Sequence, residues 1–98
     1  MSKIEWYVKK RSPVGMMKWD GTGEAQAALL TWTRASEEGM PLHAFHVDVD
    51  GNASVYDRLH GSWGRVEVGD YICQGIQGEF YPIKADVLKE TYDRIADQ

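Results

Sequence analysis

Glu79, Tyr81 and Lys84 are the candidate functional side chains of the one stretch of this chain that looks like a signature. They sit in the run Gly69-Asp70-Tyr71-Ile72-Cys73-Gln74-Gly75-Ile76-Gln77-Gly78-Glu79-Phe80-Tyr81-Pro82-Ile83-Lys84-Ala85-Asp86. On a strand, Glu79 and Tyr81 share one face and Phe80 takes the other. Two readings follow. In the structural one, Phe80 fills the core, Gly75 and Gly78 meet the demands of a turn, and Pro82 protects a sheet edge. In the functional one, Glu79, Tyr81 and Lys84 line a groove with Trp63 or Tyr71.

Other chemistry finds little support. His43 and His46 are three apart, a spacing that shares a face on a helix but not on the strand expected there. His60 stands beside Gly61 and reads as an exposed loop residue. The segment Asp48-Val49-Asp50-Gly51-Asn52 has the acidic start of a calcium loop. Its twelfth position is Leu59 rather than a glutamate, so a polar hairpin is expected instead. The chain has one cysteine, Cys73, which excludes an internal disulfide and a thiolate metal site. Its expected role is that of a small buried hydrophobe. Gly75-Ile76-Gln77-Gly78 lacks the lysine and the strand-loop-helix setting of a phosphate loop. None of the serines, at positions 2, 12, 36, 54 and 62, has an acid and a histidine in a familiar order. No metal and no cofactor are expected.

The elements that must position these residues follow from periodicity. Ile4, Trp6 and Val8 alternate with Glu5, Tyr7 and Lys9, which predicts a first strand ended by Ser12-Pro13. Residues 14–19 predict a second, with Met16 and Met17 on opposite faces. Asp20 or Thr22 can accept the free amides of a helix start. Ala25, Ala28, Leu29, Trp32 and Ala35 then recur at helical spacing, which predicts a helix over residues 23–38 before Gly39 and Pro41. Phe45, Val47 and Val49 predict a strand, Asp50-Gly51-Asn52 a hairpin turn, and Val55, Asp57 and Leu59 the return. Further strands are expected over 63–68, 71–74 and 79–84. A short terminal helix capped by Asp86 should bury Val87, Leu88, Thr91, Tyr92 and Ile95. The fold class is α+β: a small curved, mostly antiparallel sheet with one long helix packed on it and a short C-terminal helix. The expected core is Trp6, Val8, Leu29, Trp32, Phe45, Val47, Ile72, Phe80 and Leu88.

Composition bounds the function classes. At 98 residues the chain is expected to form a single domain, residues 1–98, with one modest core. Hydrophobic residues make up 43% and charged residues 27%, which argues against disorder. A net charge of −4 gives no diffuse attraction to phosphate backbones, so nucleic acid is a disfavoured partner. Lys9, Lys10 and Arg11 read as a solvated surface triplet. The start of the chain lacks the apolar region of a signal peptide, and no run is long enough to span a bilayer. A cytoplasmic protein is expected. Four Trp and five Tyr are more amphipathic aromatics than so small a core can bury, which points some of them towards binding.

The 69–86 run, continued through Val87, Leu88 and Thr91-Tyr92, resembles the C-terminal half of small, uncharacterised proteins of tailed bacteriophages and prophages. Lys9-Lys10-Arg11-Ser12-Pro13-Val14 and Trp19-Asp20-Gly21-Thr22 resemble the N-terminal part of the same family, with a variable middle between. Ile83 and Ala85 stand where the family pattern often has Cys and Pro, which speaks against a catalytic cysteine there. The resemblance implies a phage-encoded accessory protein in the bacterial host cytoplasm, one without an assigned activity. The leading expectation is a non-enzymatic module that binds a host or phage protein through Trp63, Tyr71, Glu79, Tyr81 and Lys84. Self-association at the edge near Pro82 is an open alternative. An oligomeric nucleotide binder in counter-defence, which would need converging Arg or Lys, and a small enzyme of unknown reaction are the other two.

Overall fold

A computed structural model of the chain describes residues 3–8, 12–35 and 38–95. The elements are β1 (Gly15–Lys18), α1 (Gly23–Trp32), β2 (Phe45–Val47), β3 (Ala53–Asp57), β4 (Ser62–Val66), β5 (Tyr71–Gln74), β6 (Phe80–Ile83) and α2 (Ala85–Thr91). The class is α+β, but the single curved sheet expected from the sequence is two sheets. Both are antiparallel and three-stranded, ordered β1-β5-β6 and β2-β3-β4.

The joint between them explains the division. β6 lies against β3 and β4 without entering their ladder. Pro82 contributes no amide on that strand, and its ring occupies the space over Gly64 of β4. A Cβ on Gly64 would stand 3.3 Å from Pro82 Cγ. Ring packing therefore replaces backbone pairing at this seam, and β6 remains an edge strand, as a proline inside it requires.

The expected N-terminal strand does not form over the described residues 3–8; Lys9, Lys10 and Arg11 lie outside the described residues. Residues 3–8 have no regular structure, and Trp6 and Val8, placed in the core by the sequence pattern, are 90% and 94% exposed. Alternation makes a segment competent for a strand, but a strand exists only when an edge pairs with it. The core instead gathers Trp19, Leu29, Phe45, Ala53, Val55, Val66 and Ile72 between the sheets and α1. Trp32, Val47 and Phe80 pack half-buried around it. Trp19 and Phe45 stack at a tilt, ring centroids 5.2 Å apart.

The long helix is shorter than its periodicity predicts. Thr22 caps its start, accepting from the Ala25 amide (3.1 Å), while the Asp20 carboxylate accepts from both the hydroxyl and the amide of Thr22. Those same bonds hold the Asp20 carboxyl below the usual range. The helix ends at Trp32 because Thr33 connects it to the next strand. The buried Thr33 hydroxyl donates to the Leu29 carbonyl (2.8 Å) and accepts from the Phe45 amide (3.0 Å). The amides of Ala35 and Ala44 then bond to the carbonyls of Leu42 and Thr33, so the chain leaves the helix as a short antiparallel bridge. Ala28, expected on the buried face, is exposed; Ser36 and Glu37 lie outside the described residues.

The Asp48 carboxylate accepts the amides of Asp50 and Asn52, both at 2.9 Å, and Gly51 takes a φ of +85°. The acidic loop thus spends its first carboxylate on its own backbone, as an Asx-type turn, and the Asn52 and Asp50 amides lower the Asp48 pKa. At the other end, α2 buries none of its residues: Val87 is 45% exposed and Leu88 half-buried, with Ile95 exposed beyond it. Lys84 rather than Asp86 holds the cap position. The Asp86 carboxylate accepts from the Val87 amide.

Candidate functional site

The residues singled out from the sequence do not share one face. Register places Cys73 opposite Tyr81 and Tyr71 opposite Ile83, so Tyr71, Cys73 and Tyr81 lie on the face of their sheet opposite Ile72 and Phe80. There the Cys73 thiol donates to the Tyr81 hydroxyl (3.1 Å), and Cys73 is fully buried, the role expected of it. Burial first, then hydrogen bonds with Cys73 and Tyr92, push the Tyr81 phenol well above its ordinary value. The neutral phenol is favoured in the folded state. Its contribution to stability is therefore complete below pH about 10 and is lost as pH rises through the higher folded value. Urea midpoints are expected to fall above that pH and to fall less steeply in Tyr81→Phe. An unchanged slope in the variant would place the hydroxyl in solvent.

Lys84 serves a different place. Its ammonium lies 3.1 Å from Asp70 and 3.2 Å from Glu67. Hydrogen bonds to Asp70 and then to Glu67 raise its pKa. Asp70, nearly fully buried, also accepts the Glu67 amide (2.8 Å), while its backbone carbonyl accepts the Trp19 amide (2.8 Å). This cluster fixes the turn between β4 and β5, where Gly69 has a φ of +101°.

Trp63 belongs to the other sheet. It stands on β4 directly opposite Tyr56 of β3, the ring centroids 5.3 Å apart, with His46 at 6.2 Å. It forms one wall of an open groove of about 480 Å³ completed by Leu30, Pro41, Leu42, His43, Phe45 and His46. Leu42 is 56% and Trp63 48% exposed, so the walls of this groove are apolar surface facing water. The His43 Nδ1–H donates to the Leu30 carbonyl (2.7 Å), tying the loop to α1. Tyr56 and Leu42 were not singled out from the sequence. The signal for Tyr56 was there: a hairpin closed by the turn at residues 58–61 pairs 57 with 62, and hence 56 with 63.

Glu79 turns inward. It is 7% exposed and sits at the end of the tight turn that joins β5 to β6, where the Gly75 amide bonds to its carbonyl (2.8 Å). Its carboxylate lies across Gly75. A Cβ there would be 1.5 Å from Oε1, so the glycine leaves room for the acid. Oε2 is buried without a hydrogen-bond partner among the described residues. Glu79 forms part of the wall of a pocket of about 210 Å³, together with Trp32, Arg34, Tyr56, Arg58 and Phe80. Trp32 and Phe80 meet edge to face at 5.1 Å. Arg58 donates to the Gln77 carbonyl across the same turn.

Elsewhere, Asp57 and His60 are joined at 2.6 Å. Burial works to raise the Asp57 pKa, but the bonds from His60 and the Leu59 amide outweigh it and hold the carboxyl low. Among the described residues, no three His, Cys, Asp or Glu side chains converge as metal ligands, and no helix is long and apolar enough to cross a membrane. Comparison of the chain with protein families, with curated proteins and with solved structures gives no match.

Proposed function

We propose that this chain is a non-enzymatic accessory protein of the tailed-phage type that binds a host or phage protein, and that the partner docks in the groove at Trp63. The observation that carries this reading is the groove itself. Trp63 and Leu42 keep about half their surface in water on walls that are apolar apart from His43 and His46. Tyr56 and His46 pack against the indole and restrict its orientation, so little side-chain freedom remains to be lost on binding. Large aromatics held in this way are the usual anchors of protein interfaces. His43 and His46 at the edge supply polar groups to orient a partner.

Trp63→Ala is expected to weaken capture of the partner from phage-infected lysate by about 2 kcal/mol, roughly 30-fold, the scale of an interface anchor. The urea midpoint of the variant, measured alongside, reports whether it stays folded. A folded variant that captures its partner at full strength would remove the groove from the account.

The nucleotide-binding alternative draws on one observation, the presence of Arg34 and Arg58 on a single pocket. The buried Glu79 carboxylate on the same wall opposes a phosphate there by like-charge repulsion. The protein-binding reading is therefore preferred.

A further inference from the structure

Residues 4–8 and the outer edge of β1 complement each other, and neither is paired among the described residues. Ile4, Trp6 and Val8 are 80%, 90% and 94% exposed. They alternate with Glu5 and Tyr7, where the Tyr7 hydroxyl donates to the Glu5 carboxylate (2.6 Å). Side chains two apart thus already share a side, as on a strand. Such a segment lacks only an edge to pair with. β1 offers one: β5 lies on one side of it and, among the described residues, no strand lies on the other. Antiparallel addition with Trp6 opposite Met17 sets Glu5 opposite Lys18, Tyr7 opposite Met16 and Val8 opposite Gly15. That register puts Trp6 and Val8 on the face of Met17, which packs against the core. It also sets opposite charges across the ladder. The other edges fit less well. β6 carries Pro82, and β2 has no lysine or arginine to face Glu5. On β4, matching Glu5 with Arg65 would bring Trp6 to Gly64, whose open side the Pro82 ring already fills.

We propose that residues 4–8 of one copy add as a fourth strand to β1 of a second copy, and reciprocally, to form a strand-exchanged dimer. The intervening sequence favours exchange over a hairpin within one chain. Residues 9–14 read Lys-Lys-Arg-Ser-Pro-Val, with no glycine, asparagine or aspartate to turn on. Three consecutive cations repel and favour an extended link. The residue before a proline is biased towards extended backbone as well. The exchange is two-fold symmetric, so each copy gives one strand and receives one. It does not involve Trp63, so this dimer and docking at the groove can fail separately.

Sedimentation equilibrium of the full chain over a concentration series is expected to give twice the 11.1 kDa of one copy. Trp6→Asp should weaken association by about tenfold or more, the scale of losing an interface anchor. At 90% exposure Trp6 touches little of its own chain, so this substitution leaves the fold intact. Trp63→Ala should leave the dimer unchanged. The pairing itself is read by mixing a Glu5→Cys chain with a Lys18→Cys chain and oxidising them. A disulfide between positions 5 and 18 of different copies is expected, identified by mass spectrometry of the linked peptides. The mass of one copy at every concentration, or a dimer that survives Trp6→Asp at full strength, would overturn the proposal. So would absence of the link between positions 5 and 18.

Discussion

Phe45→Ala is expected to lower stability by about 3–5 kcal/mol, the range for deleting a buried aromatic ring. Phe45 is wholly buried, stacks against Trp19, and stands where β2 meets the end of α1. Its amide donates to the Thr33 hydroxyl, so backbone and side chain of one residue hold the helix to the second sheet. The core has few large residues, and Phe45 is the largest of those fully buried among the described residues. A small core has little slack to close such a cavity. Equilibrium urea denaturation measures the loss. A midpoint close to that of the unaltered protein would mean that the core is centred elsewhere.

Asp70→Ala is expected to cost about 2–3 kcal/mol, since it leaves the Glu67 amide without its acceptor. The ion pair with Lys84 contributes less, because Lys84 is about half exposed and solvent screens the attraction. The two contributions can be separated. Asp70→Asn keeps an acceptor for the amide and should cost about 1 kcal/mol, and Lys84→Met less than about 1 kcal/mol. If Lys84→Met proved as damaging as Asp70→Ala, the charge pair and not the amide bond would be holding the turn.

How far the sequence reached depended on whether the controlling interaction was local. β5 was legible residue for residue, because Gly69 and Gly75 bracket Tyr71–Gln74 and the run between them has strand character. The cap at Thr22 and the turn at Gly51 were legible for the same reason. The rest was decided at a distance. Ile4, Trp6 and Val8 alternate as well as any strand here, yet nothing in their spacing says whether a sheet edge is free to receive them. The length of α1 turned on Thr33, whose hydroxyl reaches a strand 12 residues away. The division into two sheets turned on Pro82 meeting Gly64, a contact across 18 residues of sequence that composition does not encode.

The candidate site follows the same rule. Strand parity puts Glu79 beside Tyr81, but β6 begins only at Phe80. Freed from the pleat, the Glu79 carboxylate folds across Gly75 into a pocket whose arginines come from the segments after α1 and β3. The pair of glycines around this turn was visible in the sequence as a signature. What one of them accommodates was not. Trp63 was marked as a binding residue by its type alone. Its setting against Tyr56 and His46, and the groove it borders with Leu42, arose from the register of β3 with β4 and the bridge between Arg34 and His43.

A protein partner is proposed to occupy the groove at Trp63. Site-specific photo-crosslinking in phage-infected cells tests it most directly, with the photoreactive residue placed at Leu42 in one variant and at Glu90, on the exposed surface of α2, in another. One discrete protein adduct is expected from position 42, absent from position 90 and lost when Trp63→Ala is added. No adduct at position 42, or the same adduct from both positions, would contradict it.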